Sequence, residues 1–596
     1  MRVKRLLAAW LCASLAMPSG SFAQRPAGEI ATARGSVAPA DAAALRLSAL
    51  PTSSGASQGV GGPPLVSGPL DDAADASVPA SIAPGVFGTY GGAQSRFADG
   101  RSGASLRAPA WAPQLPDLGD GSGGALTPEA ERRIGLRAMR ELRADPDYID
   151  DWLVRDYLNS VAAKLSASAS AQFVGSYRPD FDLFAVRDGQ INAFSMPGGF
   201  IGVNSGLIVA TQTESELASV IGHEMGHVLQ RHIARMLGQS DRDGYTALAA
   251  MLLGVLAGVL AHSGDLGSAI AVGGQAYAVD SQLRFSRAAE HEADRVGFLL
   301  LNGAGYDVYG MVTFFERLER ASMGDAGVPA YARTHPLTTE RIADMQDRAR
   351  RAPYRQPRQA PEYGFVRARL RVLQARSHAD QLDMIVRMRS ELEDRTALNV
   401  AAEWYGLAYA QMLVERYDDA AASLANARKA FVAFESADAA SVRSSPSLDV
   451  LAADIARRAG QHDDAVRLAS AAHRAWPDSH AATDVLLQSL LDARRFADAQ
   501  TIATQETAAE PKEPSWWQYL AKADEGVGDT LGRRRALAEK FALDGAWSSA
   551  IRQLKEARDM KSVGYYDLAQ IDARLHEFEA GYKEEMKDEK DDKGRG

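Results

Sequence analysis

The segment Ile221–His227 carries two histidines and a glutamate at a spacing that restricts both fold and chemistry. At about 100° per residue, His223 and His227 lie one turn apart on the same face of a helix, so both can reach a single ion. Glu224 lies beside that face, where a general base for an attacking water is needed. The segment therefore predicts a zinc-peptidase helix, and the alternative is a surface helix with two solvated histidines.

A second motif, Glu290–Gly297, offers a third metal ligand. It is rich in helix-forming residues and leads into an apolar stretch, which predicts a second helix. Glu290 and Asp294 share one face of that helix because they are four residues apart. A metal ligand and a carboxylate that orients a ligating imidazole require this arrangement. A charged helix face in solvent is the alternative for this motif alone.

The ordered series of motifs resembles the gluzincin metallopeptidases of the CAAX-prenyl and HtpX type. The resemblance includes Asn192–Gly199 before the first helix and Thr334–Leu337 after the second, and it covers residues 127–577. It implies a mostly helical α+β peptidase domain of the gluzincin type. The series as a whole is far more specific than any one of its motifs.

The resemblance also assigns a role to each candidate residue. His223, His227 and Glu290 become the ligands of one Zn²⁺ per chain. Glu224 becomes the general base, and Asp294 the carboxylate that orients a ligand. These assignments agree with the spacing of the two predicted helices.

Residue His335 introduces a regulatory hypothesis. In the most similar members of the family, a histidine at this position can occupy the fourth zinc position and hold the enzyme latent. A neutral imidazole there would displace the water that a catalytic zinc needs. The alternative is an ordinary loop start, because the following Pro336 disfavours helix at His335.

The resemblance further implies a substrate-binding strand. In gluzincins, the strand before the zinc helix binds extended substrate by edge pairing. We therefore expect Gly198–Val203 to face substrate, with these residues as the binding positions: Gly198, Gly199, Phe200 and Ile201. An ordinary hairpin bend is the alternative for this segment.

Two further residues near the motifs are assigned outside the ligand set. His232 lies nine residues after His223, half a turn out of phase on a continuous helix, so we expect it to face away from the metal. Arg341 is a candidate oxyanion donor, and the alternatives are helix capping or pairing with Glu340.

The first residues have the features of a secretory signal peptide, residues 1–23. Basic residues precede the apolar core Leu6–Met17, and Ser21–Ala23 has the small-x-small pattern of a cleavage site. A membrane anchor is the alternative, but the apolar core is short for a membrane span. Because Cys12 is the only cysteine, the mature chain has neither disulfides nor a catalytic thiol. The formal charge of −10 without a basic patch argues against nucleic acid as a partner.

The rest of the chain divides by composition and pattern. Residues 24–125 are rich in Ala, Gly, Pro and Ser and are predicted to be disordered. Residues 126–355 form the predicted peptidase domain, and 581–596 a charged disordered tail. Residues 244–264 lack formal charge, and their strongly apolar part is short of the roughly 20 residues of a spanning helix. We expect a helix lying on the peptidase domain, touching membrane or client, and a transmembrane span is the alternative.

Local signals predict the first elements of the peptidase domain. A capping threonine followed by proline, Thr127–Glu129, predicts a helix through Arg143. A second helix is expected over Tyr148–Leu165, a strand over Phe181–Val186 and a hairpin over Ile191–Val203.

A repeat pattern occupies residues 360–580. The pair Ala465 and Pro477 recurs as Ala499 and Pro511, each 34 residues later, which is the tetratricopeptide period. This predicts an all-α solenoid, and a generic helical bundle is the alternative. Solenoids of this kind present an extended surface to protein partners and perform no chemistry themselves.

Together these features predict an exported zinc endopeptidase with a C-terminal repeat domain. The resemblance implies a periplasmic location, outer-membrane β-barrel proteins as substrates, and contact of the repeats with their assembly machinery. It also implies a chaperone-like role beside proteolysis. The alternative is a repeat-based chaperone or binding protein whose zinc site is latent or structural.

Overall fold

The chain is described by a computed structural model that covers residues 127–168, 177, 179–238, 287–323, 328–357, 359–435, 444–561 and 563–593. The predicted signal peptide (1–23), the predicted disordered segment (24–125) and the apolar segment 244–264 lie outside these residues. Among the helices in the described ranges, none combines the length and apolarity needed to cross a membrane.

The peptidase part is a small sheet surrounded by helices. Its strands are β1 (Tyr148–Ile149), β2 (Asp182–Val186), β3 (Ala193–Ser195) and β4 (Phe200–Asn204). Its helices are α1 (Pro128–Arg143), α2 (Trp152–Ser166), α3 (Ser205–Ala210), α4 (Glu214–Leu229), α5 (His232–Gly238), α6 (Arg287–Gly303), α7 (Tyr309–Ser322), α8 (Ala330–Thr334) and α9 (Thr339–Arg351). The strand order is β1-β2-β4-β3, with β2 parallel to β4 and the other pairs antiparallel.

The start of this part follows the predicted capping signals, with one correction. Thr127 caps α1 through a 3.2 Å hydrogen bond from the N–H of Ala130. The helix predicted from Tyr148 is wrong at its start, because Tyr148 and Ile149 pair with β2 as strand β1. Asp151 then caps α2, so the helix begins at Trp152. The strand predicted before the hairpin is confirmed as β2.

Strand β4 is central, which corrects the predicted mode of substrate binding. All five of its residues, Phe200–Asn204, are buried, and β2 and β3 occupy its two edges. Gly198 and Gly199 form the preceding turn with φ of 80° and 91°. The predicted edge pairing of substrate along β4 is therefore wrong, since both of its edges are paired, while substrate contact by Gly198, Gly199, Phe200 and Ile201 stays a prediction.

The C-terminal part consists of helices, most of which pack against the next helix along the chain. They are α10 (Pro361–Leu373), α11 (His378–Glu393), α12 (Val400–Leu413), α13 (Tyr417–Glu435), α14 (Pro446–Arg458), α15 (His462–Ala475), α16 (His480–Asp492), α17 (Phe496–Ala509), α18 (Pro514–Val527), α19 (Thr530–Leu543), α20 (Trp547–Arg558) and α21 (Tyr565–Lys593). The alanines at the predicted 34-residue shift, Ala465 on α15 and Ala499 on α17, are both fully buried. The predicted α+β peptidase followed by an all-α repeat solenoid is confirmed. The tail expected to be disordered from residue 581 is instead helical as far as Lys593.

The two parts share helix α10 and a direct interface. Tyr363 and Val366 of α10 belong to the core of the peptidase part, whereas Phe365 and Ala368 belong to the core of the first repeats. The N-terminal end of α2 packs on the repeats, where Leu153 joins the core of α14–α18. The boundary predicted between residues 355 and 360 therefore leads into a helix that both parts bury.

Candidate metal centre

Helices α4 and α6 approach closely because glycines line their contact. Thr213 caps α4 by accepting a 3.2 Å hydrogen bond from the N–H of Glu216. A Cβ at Gly226 would lie 2.9 Å from the carbonyl oxygen of Ala293, and one at Gly297 would lie 2.9 Å from the nitrogen of His223. No side chain would fit at either position without a backbone shift, so the glycines permit this separation of the helices.

The close helices, together with the loop after α8, assemble four buried side chains. We call His223, His227, Glu290 and His335 the four-residue cluster, and one potential ligand atom from each lies within 4.8 Å of all the others. The two Nε2 atoms of His223 and His227 are 3.0 Å apart. Glu290 lies 3.5 Å from Nε2 of His223 and 3.6 Å from Nε2 of His227. Nδ1 of His335 lies 3.0 Å from Glu290 and 3.4 Å from Nε2 of His223.

Asp294 and Arg341 support the His223 side of the cluster. Oδ1 of Asp294 lies 2.9 Å from Nδ1 of His223. Arg341 donates to both oxygens of Asp294, at 2.6 and 2.8 Å, and its Nη1 lies 2.9 Å from Oε2 of Glu290. The same Nη1 donates to the carbonyl of Pro336 at 2.8 Å, next to His335. Arg341 is 2% exposed and is held by these carboxylates, so it does not serve as the oxyanion donor considered from the sequence.

His232 lies behind the other ligating imidazole: it is outside the four-residue cluster, as expected, but it contacts His227 and is not turned away from the site. Its Nδ1 lies 2.8 Å from Nδ1 of His227, and its Nε2 lies 3.0 Å from Oε2 of Glu292. Arg235 donates to the same Glu292 oxygen at 2.7 Å. The expectation assumed a continuous helix, but α4 ends at Leu229 and α5 begins at His232.

His335 is held over the cluster by a short segment. The backbone N–H of His335 donates to the backbone carbonyl of Tyr331 at 2.8 Å. The two rings stack, with centroids 4.6 Å apart. The N–H of Tyr331 in turn donates to the carbonyl of Ile191 at 3.1 Å, just before β3. Nε2 of His335 lies 3.5 Å from Oε1 of Glu224. The segment thus connects the cluster, the predicted general base and the open edge of the sheet.

Glu224 is the unusual carboxylate of this region. Its side chain is fully buried, and neither oxygen has a hydrogen-bond partner among the described residues. A buried carboxylate without donors is costly, since it loses its hydration without compensation. The site therefore has unsatisfied acceptor capacity beside the cluster, where a water or a substrate N–H would satisfy it.

Two of the three expected metal ligands, His227 and Glu290, have the protonation state that metal binding needs. Burial and the charge of His223 lower the pKa of His227, which favours the neutral imidazole. Burial opposes ionisation of Glu290, but His335 and a hydrogen bond from His223 hold the pKa of Glu290 well below its usual range. Burial alone would lower the pKa of His223, yet hydrogen bonds to Asp294 and Glu290 raise it to about 9. A metal cation on His223 would take the place of that proton.

The geometry of the four-residue cluster fits one metal ion. Ligand atoms about 2 Å from a tetrahedral ion lie roughly 3.3 Å from each other. The five separations given above range from 3.0 to 3.6 Å. Two imidazoles and one carboxylate are also the donors of a catalytic metal site.

The structure brings together most of the residues singled out from the sequence. His223, Glu224, His227, Glu290, Asp294 and His335 all lie in this region, whereas Gly198 and Gly199 lie in a turn against α1 and residues 179–180. Sequence reasoning missed the contribution of His232 and Glu292. It also missed the ion pairs of Arg341, because they depend on the tertiary arrangement of α6 and α9.

Comparisons with known proteins agree with this site. The profile described as Peptidase family M48 matches residues 155–349. A beta-barrel assembly-enhancing protease of Escherichia coli K12 is 29% identical over 469 residues, 78% of this chain and 91% of that protein. A protein of the same type from Vibrio cholerae serotype O1 is 30% identical over 470 residues, 78% of this chain and 92% of that one. The mitochondrial metalloendopeptidase OMA1 of Schizosaccharomyces pombe is 30% identical over 223 residues, 36% of this chain and 60% of that protein. The two longer alignments extend beyond the M48 range.

Proposed function

The chain belongs to peptidase family M48 and is a metalloendopeptidase, and we propose that its metal is Zn²⁺, that it acts in the periplasm and that its substrates are misassembled outer-membrane β-barrel proteins. The observation that carries the proposal is the buried four-residue cluster beside the unbonded carboxylate of Glu224. The names of the two longest matches support the substrate class. The predicted signal peptide supports export.

In the proposed mechanism, His223, His227 and Glu290 would hold the ion and Glu224 would move the proton. When bound, Zn²⁺ polarises the scissile carbonyl and lowers the pKa of water toward neutrality. A Glu224 oxygen accepts the proton of the attacking water and later delivers it to the leaving amine. Asp294, fixed by Arg341, holds the ring of His223 in its ligating orientation.

We propose the outer edge of β3 as the substrate-binding edge. Strand β3 (Ala193–Ser195) is the last strand of the sheet and packs beside α4, which carries Glu224. An extended peptide added there would run along the metal helix by β-augmentation. The Tyr331 N–H that binds the Ile191 carbonyl occupies the beginning of that edge. Entry of substrate and displacement of the His335 segment are therefore coupled in this proposal.

We propose that the repeats select the protein client. A cavity of about 240 Å³ lies between the start of α2 and helices α14 and α16 of the repeats. Its lining is mixed in charge and includes Asp151, Arg369, Asp454 and Asp484. Helical repeat surfaces of this kind bind protein segments, and the partner would be the client or its assembly machinery.

Proteolysis of casein by the purified full chain tests the peptidase function. We expect Glu224→Gln to reduce the rate by on the order of 10²–10⁴-fold, because a positioned general base contributes about that much. The bound zinc, measured by elemental analysis, should remain near one per chain, because Glu224 is not in the ligand set. Unchanged hydrolysis by Glu224→Gln would contradict the assignment of the base.

The position of His335 favours a second, chaperone-like function in the resting protein. Nδ1 of His335 lies near the ligand atoms and its Nε2 lies 3.5 Å from Glu224, so a metal-bound His335 would exclude the attacking water. We expect His335→Ala to raise casein hydrolysis at least several-fold at unchanged zinc content. Absence of hydrolysis in both wild type and His335→Ala, with zinc bound, would favour the binding function over the peptidase.

A further inference from the structure

The helix that carries the two metal-binding histidines, α4, is broken before the short helix α5. Helix α4 ends at Leu229, and Arg231 has a φ of 51°, in the left-handed region that non-glycine residues rarely adopt. His232 follows at once as the first residue of α5. The break returns the His232 ring to the side of His227, and the two ring centroids are 4.8 Å apart.

The contacts of His232 determine where the protons lie. His227 presents Nε2 to the four-residue cluster, so in its ligating form Nδ1 carries the ring proton. The acceptor of that proton is Nδ1 of His232, 2.8 Å away. His232 must then carry its own proton on Nε2, which donates to Glu292 at 3.0 Å. Glu292 is fixed from the other side by Arg235 at 2.7 Å.

We propose that His232 is a positioning residue, which fixes the tautomer and the ring orientation of His227 for metal binding. The inference rests on the proposed ligand role of His227. The other ligating histidine has an equivalent support, since Nδ1 of His223 contacts Asp294 and Arg341 holds Asp294. Each ligating imidazole therefore contacts an acceptor, and a chain of contacts leads from that acceptor to an arginine. Behind His223 the acceptor is a carboxylate, which Arg341 binds directly. Behind His227 the acceptor is the imidazole of His232, which in turn contacts the carboxylate that Arg235 binds.

His232 is a supporter of the site and not a further ligand. Its Nδ1 faces Nδ1 of His227, on the opposite side of that ring from Nε2 and the cluster. Its side chain is 2% exposed, which leaves no solvent to replace the lost acceptor. Removal of this acceptor would take the 2.8 Å contact away from Nδ1 of His227 in a buried region, where a lost hydrogen bond is costly.

Zinc affinity of the full chain tests the proposal, measured by competition with a chromophoric chelator. We expect His232→Ala to weaken zinc binding 10- to 100-fold, the usual loss when an outer-shell partner of a metal ligand is removed. His232→Asn should restore most of the affinity, because the side-chain oxygen of asparagine stands near the place of Nδ1 and can accept the same proton. His291→Ala is the matched control, since His291 lies on α6 3.9 Å from Glu340 and should leave affinity unchanged.

A second measurement covers the case in which the alanine variant does not fold. In the wild-type chain loaded with Zn²⁺, ¹⁵N NMR of labelled histidine should show protonated Nδ1 on His227 and protonated Nε2 on His232. The opposite tautomers, or an asparagine variant no better than alanine, would overturn the proposal. Failure of the wild type itself to bind zinc would instead contradict the proposed function, so the two failures are distinguishable.

Discussion

At the scale of single residues, the metal centre depends on two glycines, Gly226 and Gly297, at the contact between α4 and α6. The hypothetical Cβ of Gly297 lies 2.9 Å from the nitrogen of His223 and 3.0 Å from the carbonyl carbon of Gly222. These neighbours are backbone atoms of α4, so relief would require movement of a helix and not of a flexible side chain. Because Glu290 and Asp294 lie on the same helix as Gly297, any such movement carries them away from His223 and His227.

We therefore expect Gly297→Ala to lower both stability and metal affinity. Overpacking of this kind costs about 1–3 kcal/mol in free energy of unfolding, and zinc affinity should fall at least 10-fold. Urea unfolding and chelator competition measure the two effects. Gly189→Ala is the control, because a Cβ there meets nothing within 4 Å. A Gly297→Ala variant with unchanged zinc affinity would show that the helix spacing does not limit the site.

Local geometry explains which site residues were predictable. The helix period predicts which side chains within one turn lie side by side. His223 and His227 were predicted to be such neighbours, and the structure confirms it. His232 was predicted to face away because that period was extended across Arg231, whose left-handed φ ends the helix. No residue type at this point signals the break, since arginine is neither a glycine nor an asparagine.

At the scale of elements, helix α2 joins the peptidase part to the repeats through a polar aromatic stack. Trp152 of α2 packs against His480 of α16 and Trp516 of α18, with ring centroids 4.9 and 5.1 Å away, and those two rings lie 6.1 Å from each other. His480 Nδ1 lies 2.6 Å from Asp156, and its Nε2 lies 2.9 Å from Glu510. Burial alone would lower the pKa of His480, but these two carboxylates raise it to about 10.

The junction should therefore lose stability as pH rises. A raised pKa in the folded state contributes stability that is complete below the unfolded value of 6.5 and is lost as pH rises through about 10. We expect His480→Gln to lower the free energy of unfolding by roughly 2–3 kcal/mol at pH 6, since charged hydrogen bonds to two carboxylates are removed. The difference in free energy of unfolding between His480→Gln and wild type should approach zero toward pH 10. Urea unfolding at each pH, followed by tryptophan fluorescence, measures this difference.

His462→Gln is the control for the junction, because His462 is an exposed residue at the start of α15. Its unfolding midpoint should match that of wild type between pH 6 and 10. A His480→Gln difference that stays constant over this range would show that the charge of His480 contributes nothing to the junction.

The elements themselves were partly predictable from sequence. Helix starts with a capping residue, such as Thr127 before α1, are local and are confirmed. The two-residue strand β1 was predicted as helix, because its conformation depends on pairing with β2 and not on its own propensity. The central position of β4 was also missed, since strand order arises from contacts distant in sequence. Sequence patterns alone do not distinguish a central strand from an edge strand in a hairpin.

At the scale of the whole molecule, the last helix of the repeats returns to the first helix of the peptidase part. Arg140 of α1 donates to Glu585 of α21 at 3.1 Å, and its guanidinium lies 5.9 Å from the ring of Trp547. Trp547 also donates to Glu585. Arg133 and Glu584 form a second pair at 3.2 Å, but both are more than 60% exposed. The repeats therefore close on the peptidase part through a small polar contact.

This closing contact should be weak enough to open without unfolding. Surface ion pairs contribute about 0–1 kcal/mol, and the Arg140–Glu585 pair, 28% and 26% exposed, lies at the upper end, so Arg140→Ala should change the free energy of unfolding by about 1 kcal/mol. The distance between α1 and α21 should nevertheless become broader. Spin labels at Leu136 and Tyr582, which are 41% and 37% exposed, report that distance. Cysteine labelling at these positions is specific in a Cys12→Ser background, because Cys12 is the only cysteine of the chain.

Arg133→Ala provides the comparison for the closing contact. The Arg133–Glu584 pair is more exposed than the Arg140–Glu585 pair. We therefore expect Arg133→Ala to broaden the distance distribution between α1 and α21 less than Arg140→Ala does. High salt should broaden the wild-type distribution in the same direction, because screening weakens exposed ion pairs. Identical narrow distributions in wild type and both variants would mean that closure is held by the shared helix α10 and the α2 junction. The C-terminal helix would then be a passive end of the solenoid, and access to the cavity between the two parts would not depend on it.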